Sequence, residues 1–171
     1  MATILPARLA GLGTYVPAAE DRLERYQEIY RTNYHRIYSF AFRMTDNELT
    51  AEDVVGNVFR RAFSLVASPS EEVLDRALVH ELREELVIGP LTLECSPATE
   101  VAGIRRNTKR VHLENAVAQL PATERLIFLM HDVEGYDHAR ISRTIGVSEI
   151  ESGYGLHQAR LKMRELLAKM F

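Results

Sequence analysis

The sequence predicts an all-α protein of two small helical domains joined by a linker, the C-terminal one ending in a helix-turn-helix. Three observations point there. Apolar residues recur at steps of three and four through several long stretches, the period of amphipathic helices. Glycine and proline are sparse, at 9 and 6 of 171 residues, so the closely spaced turns of a sandwich or barrel are missing. Between Ile88 and Asn107 the period collapses amid Gly89-Pro90, Pro97 and Gly103, a gap too long for one compact domain.

Residues 1–19 are mildly apolar, but Pro6, Gly11, Gly13 and Pro17 interrupt them and no basic cluster precedes a long apolar run. They read as a flexible arm, neither a signal peptide nor a membrane span. Residues 20–87 form the first domain. From Glu20 to Met44, Leu23, Tyr26, Ile29, Tyr30, Tyr34, Ile37, Tyr38, Ala41 and Phe42 give one helix a wide apolar stripe. Thr45 to Leu49 breaks it. Thr50 is the expected N-cap of a second helix, with Asp53 three residues on and Val54, Val55, Val58, Phe59, Ala62, Phe63 and Val66 as its apolar face. A third helix is expected to start with Ser68 as cap and Pro69 in the first helical position. It continues through Val73, Leu74, Ala77, Leu78, Leu82 and Leu86 to about Val87.

Residues 88–108 are the expected linker and 109–171 the second domain. Val111, Leu113, Ala116, Val117 and Leu120 mark a helix that Pro121 ends. Ala122 to Val133 carries another, closed by Gly135. Asp137 caps a short helix through Ile141 and Ile145, Gly146 makes a tight turn, and Ser148 caps a last helix through Leu156, Ala159, Met163, Leu167 and Met170. Two short helices around a glycine turn form a helix-turn-helix, whose second helix enters the major groove while the first crosses the backbone.

Composition narrows function. A net charge of −3 argues against coating nucleic acid by bulk attraction. The charge is uneven: Ile104 to Phe171 carries 11 Lys and Arg against 8 Asp and Glu, so phosphate contact belongs to the C-terminal part. Cys95 is the lone cysteine, which leaves no internal disulfide or thiolate cluster and fits a reducing cytoplasm. His35, His80, His112, His131, His138 and His157 show no metal-ligand spacing, and no cofactor is expected. His131-Asp132 is the one catalytic-looking pair, but adjacent helical side chains are expected to point apart and no nucleophile motif accompanies them, so an enzyme is not expected. Tyr26, Tyr30, Tyr34 and Tyr38 read as a half-buried core stripe.

The segment LENAVAQLPATERLIFLMHDVEGYDHARISRTIGVS, Leu113 to Ser148, with LHQARLKMRELL, Leu156 to Leu167, resembles the C-terminal domain of extracytoplasmic-function (ECF) sigma factors. YQEIYRTNYHRIYSFAFRMTDNELTAEDVVGNVFRRAF, Tyr26 to Phe63, is similar to that family's N-terminal domain. The two blocks stand in the family's order. The resemblance implies a winged-helix-like sigma region four at the C-terminus and a cytoplasmic protein that binds core RNA polymerase and promoter DNA. It also implies an anti-sigma factor as a further partner, with no membrane insertion. It places polymerase contact at Asp53, Val54, Asn57, Val58 and Arg61. It places promoter contact, at the minus-thirty-five element, on Arg140, Arg143, Thr144, Ser148, Glu149, Glu151, Ser152, Tyr154, His157 and Arg160. Leu74 to Leu86 would correspond to the segment that opens the minus-ten element.

The reading positions depart from the family. SEIESGYGLHQAR, Ser148 to Arg160, has Glu151, Gly153 and Gly155 near positions where the family usually shows Thr, Lys and Arg, and Ser152 replaces an apolar packing residue. Two interior glycines each cost a helix about 1 kcal/mol relative to alanine. HELREELV, His80 to Val87, has Glu81, Glu84 and Glu85 where Arg and Asn are usual, and Gly56 stands for a glutamine. Two functions fit: a sigma factor for an unusual promoter, or a sigma-like adaptor or decoy that binds an anti-sigma protein without reading DNA. A free-standing helix-turn-helix repressor would need a dimer surface.

Overall fold

The computed structural model describes residues 19–95 and 108–170; the expected arm, apart from Ala19, and most of the expected linker lie outside them. Every regular element among the described residues is helical, so the helix-turn-helix carries no β-wing there. The helices are α1 (Ala19–Thr45), α2 (Glu48–Leu65), α3 (Glu71–Glu85), α4 (Arg110–Ala118), α5 (Ala122–Phe128), α6 (His138–Ile145) and α7 (Glu149–Lys169). A π-helical turn at Leu129–Val133 continues α5.

Helix α1 has 27 residues and so runs about 40 Å. Its buried residues Ile37, Phe40, Ala41 and Met44 all lie in its second half. Tyr26, Tyr30, Tyr34, Tyr38 and Phe42 form a ladder along one side, with successive ring centroids 5.3–6.4 Å apart. Phe59 and Phe63 of α2 close on Tyr30 and Tyr26 at 4.7 and 4.3 Å. The i, i+4 spacing makes the ladder, and its contacts with Phe59 and Phe63 bind α1 to α2.

Two expected caps move. Asp46 takes a left-handed backbone, φ 52°, and Asn47, not Thr50, caps α2 by accepting from the Thr50 N–H at 2.9 Å. The turn after α1 is therefore tighter than the polar run suggested. Ser70, not Ser68, caps α3. Pro69 precedes the cap and is buried, as is Leu74 beyond it, an arrangement that matches a hydrophobic staple.

One apolar core runs through both halves. Leu74, Leu78 and Leu82 of α3 share it with Val54, Val58 and Phe59 of α2 and with Leu126, Ile127, Met130, Ile141, Ile145 and Leu156. A second cluster, of Ala116, Leu120, Ala159, Met163 and Leu167, joins α4 to α7. Burying each such Leu, Ile or Phe contributes roughly 1.5–3 kcal/mol. Packing thus holds α4, only 9 residues long, which would be marginal alone. Arg125 is a polar brace: it donates to the carbonyls of Leu120 at 2.8 Å, Ala118, and Met44 of α1 at 2.7 Å. Arg83 of α3 likewise donates to the Ile145 carbonyl at 2.6 Å.

Candidate nucleic-acid interface

The helix-turn-helix is built by local chemistry. Asp137 caps α6, its carboxylate accepting from the Arg140 N–H at 2.7 Å. Ile141 and Ile145 turn inward and are buried. Gly146 ends the helix at φ 77°, a left-handed conformation that costs glycine little. The Ser142 hydroxyl then donates to the Val147 carbonyl at 2.6 Å. Ser148 opens α7 with a reciprocal capping box: it accepts from the Glu151 N–H at 3.1 Å, while Glu151 accepts from the Ser148 N–H at 2.8 Å. Those bonds to the Ser148 backbone and hydroxyl hold the Glu151 carboxyl below its ordinary range.

The outward side of α7 presents Glu149, Ile150, Glu151, Tyr154, His157 and Arg160. Ile150 is 85% exposed and Tyr154 46%, so the tip is acidic and apolar. Ser152, expected at the DNA, is corrected to a packing residue: it is fully buried and its hydroxyl meets His138 Nδ1 at 2.9 Å. Gly155 also faces inward, where a Cβ would lie 2.8 Å from both Leu91 and Ile127. That glycine permits a close approach, whereas at Gly153 a Cβ would meet only His138, at 3.9 Å.

Arg160 makes a two-pronged bond to Asp132, at 3.0 and 2.6 Å. Asp132 also bonds His131 Nδ1 at 2.8 Å, so that pair does not point apart. The π-helical turn that carries both residues is wider than an α-turn and sets successive side chains at a smaller angle. Partial burial raises the Asp132 carboxyl, but the hydrogen bonds from Arg160 and His131 outweigh it and leave it below the ordinary range.

The arginines of α6 face α3. Arg140 bonds Asp75 at 2.7 Å and Glu71 at 3.3 Å, and its guanidinium lies 3.6 Å over the Tyr136 ring. Arg143 pairs with Glu72 at 3.7 Å. Asp75, 2% exposed, also receives Arg36 of α1 at 2.8 Å, and Arg36 donates to the Tyr136 hydroxyl at 2.9 Å. Burial and the neighbouring Asp75 push the Tyr136 phenol up. Thr144, the remaining candidate on α6, donates to the Arg140 carbonyl at 2.8 Å. Asp75 and Tyr136 escaped sequence reading because each acts through partners far along the chain.

On α2, Asp53 is exposed, Asn57 accepts from Arg60 at 2.8 Å, and Arg61 donates to Glu81 at 2.6 Å. Val54 and Val58, expected at the polymerase, are core residues at 2% and 0% exposure, so their side chains face inward. A Cβ at Gly56 would meet open space. Glu84 and Glu85 are exposed beside the engaged Glu81. No group of three or more His, Cys, Asp or Glu among the described residues is placed to hold a metal, and none of the described helices is long and apolar enough to cross a membrane.

The family model for sigma-70 region 4 matches residues 110–163, from α4 into α7. Among curated proteins, the ECF RNA polymerase sigma factor SigE of Mycolicibacterium smegmatis is 25% identical over 160 residues, covering 84% of this chain and 62% of SigE. The chain thus spans about three fifths of that relative's length. Among solved structures, the fold is similar to the sigma factor RpoE in its complex with the anti-sigma factor NepR from Bartonella quintana. That likeness has a TM-score of 0.64 at 15% identity and covers 84% of this chain and 97% of the other.

Proposed function

We propose that this chain, which belongs to the ECF sigma factors and carries sigma-70 region 4 at residues 110–163, binds core RNA polymerase and directs promoter-specific transcription initiation. The observation that carries this reading is the capped helix-turn-helix, with Tyr154 and His157 outward on α7, joined to a second helical module bearing an exposed α2 edge. In this reading the chain works in the cytoplasm and performs no catalysis. Asp53, Asn57 and Arg61 meet the polymerase. Tyr154, His157, Glu149 and Arg160 approach the bases, while Arg140, Arg143, Thr144 and Ser148 approach phosphates once α6 is free of α3. Tethering multiplies the weak affinities of two modules into one selective complex.

Purified chain mixed with core polymerase should form a complex and yield a transcript from a specific promoter. Failure to assemble with core polymerase, where a known sigma factor assembles, would remove the proposal.

A second reading is an adaptor or decoy that binds an anti-sigma factor without reading DNA. The acidic, apolar tip at Glu149 and Ile150 favours it, because carboxylates there repel phosphate. A salt-dependent, sequence-specific shift on a promoter fragment would count against it.

A further inference from the structure

Residues 89–95 lie against α5 and α7 as an extended strap. Its exposure alternates: Leu91, Leu93 and Cys95 are half-buried and Thr92 and Glu94 exposed, the alternation of a strand with one face down. Its backbone is held by side chains that are themselves buried. Glu124, 0% exposed, accepts from the N–H groups of Thr92 at 2.5 Å and Leu93 at 2.7 Å, and from the Thr92 hydroxyl at 3.3 Å. Thr123 bonds Gly89 in both directions, at 3.0 and 3.1 Å. Gln158 accepts from the Cys95 N–H at 2.5 Å. Leu91 occupies the notch that the missing side chain of Gly155 leaves beside Ile127, and Leu93 packs on the cluster between α4 and α7.

We infer that α5 and α7 form a peptide-binding groove for an extended Leu-x-Leu segment, that residues 89–95 are its ligand in cis, and that their release lengthens the connection between the modules. The groove reads main chain through Thr123, Glu124 and Gln158, and side chain through the notch at Gly155. Among the described residues, every hydrogen bond to the Glu124 carboxylate comes from the strap, and its second oxygen has no partner. With the strap removed, the Glu124 carboxylate would exchange these donors for water; an extended peptide that covers it again must bring N–H groups, because a covered carboxylate without donors is costly. Releasing residues 89–95 would add seven extended residues to the connection, a reach of at most roughly 25 Å. The use of that reach, to let two modules span separated DNA elements, rests on the sigma-factor reading; the groove does not.

Hydrogen exchange on the full chain, without polymerase or DNA, tests the groove directly. The Thr92 and Leu93 amides should exchange at least ~100-fold more slowly than free amides; exchange at the free rate overturns the inference. A second arm uses the full chain with Leu91→Asp and Leu93→Asp, and a labelled peptide of residues 89–95 carrying Cys95→Ser. The peptide should bind that variant saturably, bind the unaltered chain at least ~10-fold more weakly, and lose binding when Glu124→Ala is added. A folded variant that ignores the peptide, or binds it equally without Glu124, overturns the groove. If the variant does not fold, the exchange measurement decides alone. None of these readouts depends on transcription, so their failure is separable from failure of the sigma-factor reading.

Discussion

Arg140 on α6 donates to Asp75 on α3 at 2.7 Å, so the first helix of the helix-turn-helix is bonded to a buried carboxylate 65 residues away along the chain. Arg36 takes the second oxygen of the same carboxylate at 2.8 Å. Asp75 is thus shared by two guanidiniums, one from α1 and one from α6, and Glu71 and Glu72 extend the acidic surface that α6 meets. Together these carboxylates engage the α6 arginines proposed to approach phosphate.

Replacing Asp75 tests that relationship. Asp75→Ala leaves the partly exposed Arg36 and Arg140 without their main partner, and losing a hydrogen bond to a charged group costs about 1.5–3 kcal/mol. The urea midpoint should fall. Affinity for DNA of any sequence should rise as Arg140 is freed, read by fluorescence anisotropy at low salt. An unchanged midpoint would show that the network contributes little.

Gly155→Ala sets two effects against each other. Helix propensity alone favours alanine by about 1 kcal/mol, but the new Cβ would stand 2.8 Å from Leu91 and Ile127, and overpacking costs about 1–3 kcal/mol. Net destabilisation is expected. Adding Leu91→Ala should recover part of it, and the double-mutant cycle measures the coupling.

Glu149→Lys reverses a charge on the exposed first turn of α7. Under the DNA-reading proposal it should raise affinity for DNA of any sequence by about tenfold at low salt and steepen the salt dependence, since a carboxylate that repels the phosphates flanking the bases is replaced by an ammonium that attracts them. An unaltered salt slope would place that turn away from the backbone.

Stability should depend on pH through Asp132. Its carboxyl is depressed in the folded chain, so the folded state binds fewer protons than the unfolded one. The contribution is fully present above the ordinary carboxylate range, near pH 4, and is lost as pH falls through the depressed value. Glu134, raised chiefly by burial, acts with the opposite sign. Asp132→Asn should flatten the acid limb of a denaturation series, and an unchanged limb would exclude this contribution.

The resemblance in two ordered blocks, the helix periods and the helix-turn-helix were all legible in the sequence. Asp137, Gly146 and Ser148 act on backbone within a few residues of themselves, so their roles as cap, turn and cap could be read directly. The caps of α2 and α3 could not, because several residues compete at each start and only the path of the turn, through Asp46 and the buried Pro69, selects Asn47 and Ser70. Residues 89–95 read as linker because five alternating positions are too few to register as a period. Only packing against Glu124, Gln158 and Gly155 made them a strap. Gly155 looked like a weakness in a reading helix and proved to be the space that Leu91 needs. Local chemistry acts over a few residues and is written in order along the chain. Which carboxylate meets which arginine, and which glycine must be bare, depends on surfaces that only folding brings together.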